Sequence, residues 1–520
     1  MRRTAVGIGG WMVWAAACAW ATVAGAAEPS VRLDSGVVQG VADGDVAVFR
    51  GIPYAQPPLG ALRWQPPQPV EPWTAPRAAR AFGPACPQPP RGKGGQRGDG
   101  LGGAPERQSE DCLSVNVWSP SLAGKAPVMV WIHGGAHRYG AASQPFYDGA
   151  ALARQGVVLV SLNYRLGLFG YFAHPALTAE AGAERAFGNY GLLDQLAALR
   201  WVQRNIAQFG GDPARVTVFG ESAGGASILY LLTTPAASGL FAQAIVESGG
   251  GWQRSLSLAD KEAEGVRAAS AAGLDGAKAS AAELRALPVE ALNRAISVAP
   301  VLTFGPFVDG RTVTASPARR FAAGQALDVP LIIGSNSYEA SLLDTVGVPP
   351  ATLLQRLSAE DLKALRAVYP ELAGDDDALA RAYFADASFA APARWIAAHA
   401  HDGAPSWLYR FSYTLRPGAP GASHGAEIPY VFKTLGVLPA LRLFLRDRDR
   451  AMSDTISACW VAFARSGVPA CAGAPAWPAY QPKTDTLLEF GAPSALRERF
   501  RAAALDFQQQ RFEQETGGAR

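Results

Sequence analysis

Ser222 lies in Val216-Thr217-Val218-Phe219-Gly220-Glu221-Ser222-Ala223-Gly224-Gly225, where an apolar, β-branched run leads into Gly-x-Ser-x-Gly and then a helix-forming stretch. An alcohol nucleophile needs that order. A tight strand-to-helix turn exposes the serine Oγ and turns the next backbone N–H toward the same space. Gly220 and Gly224 carry no Cβ to block the approach of strand and helix, and the helix N-terminus faces any negative charge that develops. A second match, Gly421-Ala422-Ser423-His424-Gly425, follows the loop Arg416-Pro417-Gly418-Ala419-Pro420 and precedes Glu427-Ile428-Pro429, read as unable to open a regular helix. Ser423 therefore lacks the strand and helix that the chemistry requires, and Ser222 is the expected nucleophile.

A serine hydroxyl is a poor nucleophile without a base. Six histidines are available: His133, His137, His174, His399, His401 and His424. His424 lies in a glycine-rich loop well after Ser222 and suits an imidazole that must reach across a sheet. His399 and His401 fall in a helical run, His174 precedes Pro175 as a packing residue, and His133 opens a His-Gly-Gly loop that it helps to shape. The base in turn needs a carboxylate to fix its tautomer and stabilise the imidazolium. The chain order serine, acid, histidine points to Glu339, just past the buried run Val329-Pro330-Leu331-Ile332-Ile333-Gly334. Asp309 and Asp344 are its rivals, with surface or turn positions as their ordinary reading. The oxyanion of an acyl-transfer transition state needs backbone donors already in place. Trp131-Ile132-His133-Gly134-Gly135-Ala136 offers them, and the expected donors are the N–H groups of Gly135, Ala136 and Ala223.

These groups must be held by elements whose patterns are also visible. Gly36–Val41 and Val46–Phe49 read as a hairpin around Asp43-Gly44, and Pro53 to Pro76 as loop. Leu113–Trp118 alternates like a strand, while Pro127–Ile132 and Val157–Leu162 are near-continuous apolar runs, as in strands buried on both faces of a parallel sheet. A helix is expected over 192–206, a strand over 216–219, a helix over 223–232 and a strand over 242–246. Alternation of this kind gives a doubly wound sheet whose sites lie beyond the strand C-termini. Helical insertions are expected over 258–300 and 350–402, a strand over 407–411, and closing helices over 448–466 and 495–513.

The remaining composition narrows the possibilities. Of the 520 residues, 49% are hydrophobic and 18% charged, enough for a large core. The net charge is +3 with no basic stripe, so nucleic acid is not an expected partner. Arg2-Arg3, the apolar run from Ala5 to Val23 and Ala24-Gly25-Ala26 read as a cleaved signal peptide over 1–26, ahead of one domain over 27–520. The mature protein is then secreted or periplasmic, without stable membrane insertion; a lipid anchor at Cys18 is the alternative. Beyond Cys18 four cysteines remain, Cys86, Cys112, Cys459 and Cys471, which allow three pairings. Short-range pairing, Cys86 with Cys112 and Cys459 with Cys471, is the simplest, and four buried thiols are the alternative. No Cys-x-x-Cys or histidine cluster suggests a metal, and the chemistry calls for no cofactor.

Taken with Phe49-Arg50-Gly51-Ile52-Pro53-Tyr54-Ala55, Glu110-Asp111-Cys112-Leu113-Ser114-Val115-Asn116-Val117-Trp118, Asn163-Tyr164-Arg165-Leu166-Gly167 and Asn189-Tyr190-Gly191-Leu192-Leu193-Asp194-Gln195, the chain resembles the type-B carboxylesterases, the group of cholinesterases and bacterial para-nitrobenzyl esterases. Phe304-Gly305-Pro306-Phe307-Val308-Asp309-Gly310 and the spaced Asp386, Phe389, Pro392 and Arg394 extend the resemblance over nearly the whole mature chain. It implies the α/β-hydrolase fold, with a large, mostly parallel central sheet, flanking helices and helical insertions over the active site. It also implies Ser222, Glu339 and His424 as triad, a Cys86–Cys112 bridge, and Trp252 as an acyl-pocket aromatic. The implied activity is hydrolysis of small to medium carboxylic esters through an acyl-enzyme. The alternatives are a non-catalytic binding or adhesion module on the same frame, and an acyltransferase or amidase using the same triad. Three positions depart from the family pattern. Ala136 replaces a third glycine, His137 an aromatic residue, and Tyr338-Glu339-Ala340 the usual Asp-Glu-Gly.

Overall fold

The computed structural model describes residues 28–90, 107–182, 187–252, 255–400, 403–437 and 442–515. The segment read as a signal peptide, with Cys18, and His401 lie outside the described residues. A small three-stranded sheet joins β1 (Ser30–Arg32), β2 (Val37–Gln39) and β5 (Arg77–Ala78). The main sheet has eleven strands. They are β3 (Val41–Asp43), β4 (Val46–Pro53), β6 (Ser114–Ser119), β7 (Ala126–Ile132), β8 (Val158–Leu162), β9 (Gly211–Glu221), β10 (Gln243–Glu247), β11 (Leu331–Asn336), β12 (Ser406–Phe411), β13 (Thr486–Phe490) and β14 (Ala495–Glu498). Their order is β14-β13-β12-β11-β10-β9-β7-β8-β6-β4-β3. From β8 across to β13 neighbouring strands run parallel, and antiparallel strands close both edges.

The order of the parallel strands decides where a ligand can sit. The chain leaves β7 for β8 on one side, then crosses back to place β9 on the other side of β7. Successive crossovers diverge there and open a crevice at the strand C-termini. The segment after β7 begins His133-Gly134-Gly135, and the segment after β9 begins Ser222. Both faces of the sheet are covered. Val128 and Val130 pack with Leu192, Leu196 and Leu199 of the Tyr190–Asn205 helix and with Ile228 and Leu231 of the Ala223–Leu232 helix. Met129 and Trp131, pointing the other way, pack with Ile456, Trp460 and Phe463 of the Asp447–Ser466 helix.

The sequence expectations hold for the parallel strands from β7 to β12 and their helices, miss the parallel strand β13, and fail in other places for physical reasons. Val37–Gln39 pairs with β1 rather than β4, so the hairpin around Asp43-Gly44 is only β3 with β4. The helix expected over 495–513 begins at Ala502, because Ala495–Glu498 pairs antiparallel with β13. Tertiary pairing there overrides helix propensity. Glu427-Ile428-Pro429 does open one helical turn, Ile428–Val431, since proline is tolerated in the first turn of a helix. The helical insertions break into Leu258–Ala271, Ala281–Ala286 and Val289–Val298, and later into several helices between Ala351 and His399. Both short-range disulfides are present, Cys86–Cys112 and Cys459–Cys471. Among the described residues no helix is long and apolar enough to cross a membrane.

A buried ion pair ties two of the sequence motifs together. Arg165 donates from its backbone N, Nε and Nη2 to the Asp194 carboxylate at 2.7–3.0 Å, and both side chains are almost wholly buried. Asp194→Ala strands a buried guanidinium and is expected to cost about 3–5 kcal/mol of stability. A lowered urea midpoint at unchanged slope checks this; an unmoved midpoint refutes it.

Candidate active site

Ser222 is the residue between β9 and the Ala223–Leu232 helix, with φ 56° and ψ −120°. That backbone state is rare outside glycine and marks a strained turn. Its amide donates to the Glu247 carbonyl at the end of β10 (2.9 Å), and its carbonyl accepts from Ala226 N (2.8 Å). Ala223 N–H is at the first helical position, so it has no acceptor within its own helix. The loop after β7 lies against this turn. A Cβ on Gly134 would come within 2.7 Å of the Glu221 carbonyl and 3.1 Å of Ser222 Cβ. The next residues, Gly135, Ala136 and His137, all have positive φ (105°, 57° and 53°), which winds the loop around the serine.

Glu339 and His424 come from two segments zipped together. Tyr338 N donates to Ala422 O (2.8 Å), Ala422 N to Ser337 Oγ (2.7 Å), and His424 N to Ser341 Oγ (2.9 Å). Asn336, at the end of β11, donates from its side chain to Ser423 O at 2.8 Å. The Glu339 carboxylate is buried. Its Oε1 accepts from Asn336 N and Ser248 Oγ, both at 2.6 Å, and its Oε2 lies 2.5 Å from His424 Nδ1. The imidazole packs against Phe389, 5.2 Å between ring centres. Its other nitrogen, Nε2, sits 3.2 Å from Glu221 Oε1.

Sequence reasoning missed how many carboxylates surround this imidazole. Glu221, Glu247 and Glu427 are buried with Glu339. Trp460 Nε1 donates to Glu247 (2.9 Å), and Asn336 donates to Glu427. Burial would lower the His424 pKa, but the Glu221 and Glu339 carboxylates outweigh it and push the imidazole up to about 10. Burial and the neighbouring Glu221 charge push Glu247 up to about 8 despite the Trp460 hydrogen bond, and burial with the Glu221 and Glu247 charges raises Glu427 well above the usual carboxylate range. Protons therefore stay on part of the cluster at neutral pH. The available sequence signals were the position beside Ser222 for Glu221 and three residues after His424 for Glu427. Glu247 carried none.

The other expected residues fall as follows. Asp309 is a turn acid that accepts from Arg311, Thr312 and Val313 N, and Asp344 pairs at the surface with Arg381 (2.9 Å). His174 caps a helix through Ala176 N, and His399 stacks on Trp395. His133 stacks on Tyr164, and burial lowers its pKa to about 4. Trp252 stacks flat on Phe512, 4.4 Å between ring centres, and edges against Trp395. A Cβ on Gly249, three residues earlier, would lie 3.0 Å from Ala226 N in the helix that follows Ser222.

A half-buried serine hydroxyl on a strained turn and a carboxylate-held imidazole can carry out acyl transfer. Comparison with known proteins agrees. Residues 27–508 match the model of the carboxylesterase family. Para-nitrobenzyl esterase of Bacillus subtilis (strain 168) is 39% identical over 484 residues, covering 88% of this chain and 94% of that protein. Fumonisin B1 esterase of Sphingopyxis macrogoltabida is 38% identical over 483 residues, covering 88% and 85%. Among solved structures, a PNB esterase superposes with a TM-score of 0.78 at 34% identity over 92% of this chain and all of its own. A Geobacillus stearothermophilus carboxylesterase gives 0.78 at 35% identity over 91% and 99%. The chain belongs to the carboxylesterase family, has the α/β-hydrolase fold, and is a carboxylic-ester hydrolase.

Proposed function

We propose that Ser222 is the nucleophile, His424 the base and Glu339 the acid of a triad that hydrolyses small to medium carboxylic esters through an acyl-enzyme. The observation that carries this is the 2.5 Å contact between Glu339 Oε2 and His424 Nδ1, with the other ring nitrogen 3.2 Å from Glu221, the residue before the strained Ser222 turn. Ser222 Oγ attacks the ester carbonyl while its proton passes to His424 Nε2. The oxyanion takes hydrogen bonds from the N–H groups of Gly135, Ala136 and Ala223, each worth about 3–4 kcal/mol in comparable sites. The imidazolium then protonates the departing alkoxide. Water attacks the acyl-enzyme with the same base and releases the acid. Glu339 holds the proton-bearing Nδ1 in place throughout. Trp252 is proposed to wall the acyl side of the pocket, supported by the approach of Gly249 to the start of the Ser222 helix. The names of the relatives, para-nitrobenzyl and fumonisin B1 esterase, support small-molecule esters as the substrate class.

Residues 1–26 are proposed to be a signal peptide cleaved after Ala24-Gly25-Ala26, leaving one domain over 27–520 in the periplasm or outside the cell. Two disulfides suit such an oxidising compartment. Mass spectrometry of the exported protein is expected to find an N-terminus at Ala27; a lipidated Cys18 would replace this reading with membrane anchoring.

Ser222→Ala is expected to abolish turnover of p-nitrophenyl acetate, butyrate and octanoate with unchanged circular dichroism. A folded, fully active variant ends the assignment. The pH profile provides a second test. His424 must be neutral to accept a proton, and Glu221 and Glu339 raise its pKa from 6.5. Activity is therefore expected to rise with pH along an acid limb lying above 6.5. Glu221→Gln removes one of the charges that favour the imidazolium, so the acid limb of kcat/KM should move to lower pH. A limb that stays in place would show that Glu221 does not set the base's protonation.

A further inference from the structure

The oxyanion loop contains a strain that its own sequence does not relieve. Ala136 and His137 are consecutive non-glycine residues in the left-handed region, at φ 57° and 53°. Such a pair persists only when its surroundings fix it. The backbone supplies three anchors: Arg138 N and Tyr139 N donate to the Gly135 carbonyl at 3.0 and 2.9 Å, and Gly167 N donates to the His137 carbonyl at 2.7 Å. The His137 side chain, only 5% exposed, supplies others. Its Nε2 lies 2.9 Å from Ser227 Oγ, and Gln195 Nε2 donates to that same Oγ at 3.1 Å. The ring also edges against Tyr171, 5.0 Å between ring centres. A Cβ on Gly305 would lie 3.0 Å from His137 Nδ1, so the chain passes close to the imidazole there.

We propose that His137 is a positioning residue that clamps the oxyanion loop to the helix following Ser222, through Ser227. This rests on the reading of Gly135, Ala136 and Ala223 as the oxyanion donors. Ser227 is one helical turn beyond Ala223 in the Ala223–Leu232 helix. The clamp therefore fixes the two loop donors relative to the helix donor. The Gln195 amide donates to the same Ser227 Oγ, so the hydroxyl joins the imidazole to a second buried side chain. Burial lowers the His137 pKa to about 3, so the ring stays neutral across the working range and the clamp does not titrate with the base. A phenylalanine at this position would fill much of the same space without joining the loop to the helix.

The test uses the full mature enzyme and the variants Ser227→Ala, His137→Phe and the double variant. Readouts are kcat and KM for p-nitrophenyl butyrate, affinity for an aryl trifluoromethyl ketone, and thermal midpoint. The ketone adds Ser222 Oγ to its carbonyl and places an oxyanion where the ester's would form. Loss of donor alignment is expected to lower kcat by about 10- to 100-fold. Ketone affinity should fall by a similar factor, KM should stay within about two-fold, and the double variant should be no worse than His137→Phe. If His137→Phe does not fold, Ser227→Ala decides alone. Folded single variants with wild-type kcat and ketone affinity overturn the clamp, as does a change confined to KM, which would make His137 a pocket wall. Ser222→Ala separates the two readings. If it is inert while the clamp variants are normal, only the clamp fails; if it is active, the assignment beneath both fails.

Discussion

Ser222 occupies a backbone conformation, φ 56° and ψ −120°, that L-residues avoid at a cost of roughly 1–3 kcal/mol. The turn is held by main chain rather than by side chains. A Cβ on Gly224 would come within 2.0 Å of the Ile132 carbonyl, and one on Gly220 within 2.6 Å of the same atom. One on Gly225 would reach 2.9 Å from the Glu247 carbonyl. The ends of β7, β9 and β10 and the start of the helix therefore meet at van der Waals distance. The glycines around Ser222 follow from that approach, as does the burial of Glu221 and Glu247 at the strand ends.

The same closeness creates an electrostatic problem at the base. Glu339, Glu221 and Glu427 act on one imidazole, and Glu247 lies beside Glu221, in a region almost without solvent. Four carboxylates cannot all be charged there, because burial and mutual repulsion favour the protonated forms. The protein resolves this unevenly. Glu339 receives two hydrogen bonds at Oε1 and turns Oε2 to His424. Glu247 and Glu427 receive donors from Trp460 and Asn336, but their pKa values are raised all the same. The neighbouring carboxylates in turn favour the charged form of the His424 imidazole.

Parts of this were legible in the sequence because the chemistry needs residues next to each other in the chain. The strand, Gly-x-Ser-x-Gly and helix around Ser222 form one continuous segment, and so do β7 and the His133-Gly134-Gly135 loop. The parallel strands were legible because burial on both faces leaves apolar runs, as in β7 and β8. What stayed hidden depends on contacts between distant segments. β14 carries residues that favour a helix, and only its pairing with β13 makes it a strand. Glu247 sits in an unremarkable strand end, and its importance comes from lying beside Glu221 in register across β9 and β10. Ser227 reads as an ordinary helix residue until His137 is seen against it.

The strand order has a further consequence for how the molecule can change over generations. The serine and its amide loop leave from the adjacent strands β9 and β7, and the acid and base from β11 and the loop after β12, so all are fastened to one hydrogen-bonded sheet. The helical segments over 258–298 and 351–399 contribute no strand to that sheet. They resemble interchangeable tooling mounted on a fixed frame. Insertions, deletions and repacking can accumulate there and recast the shape of the entrance, while the reacting atoms keep their alignment. A lineage can in this way explore new esters without having to invent its catalyst again.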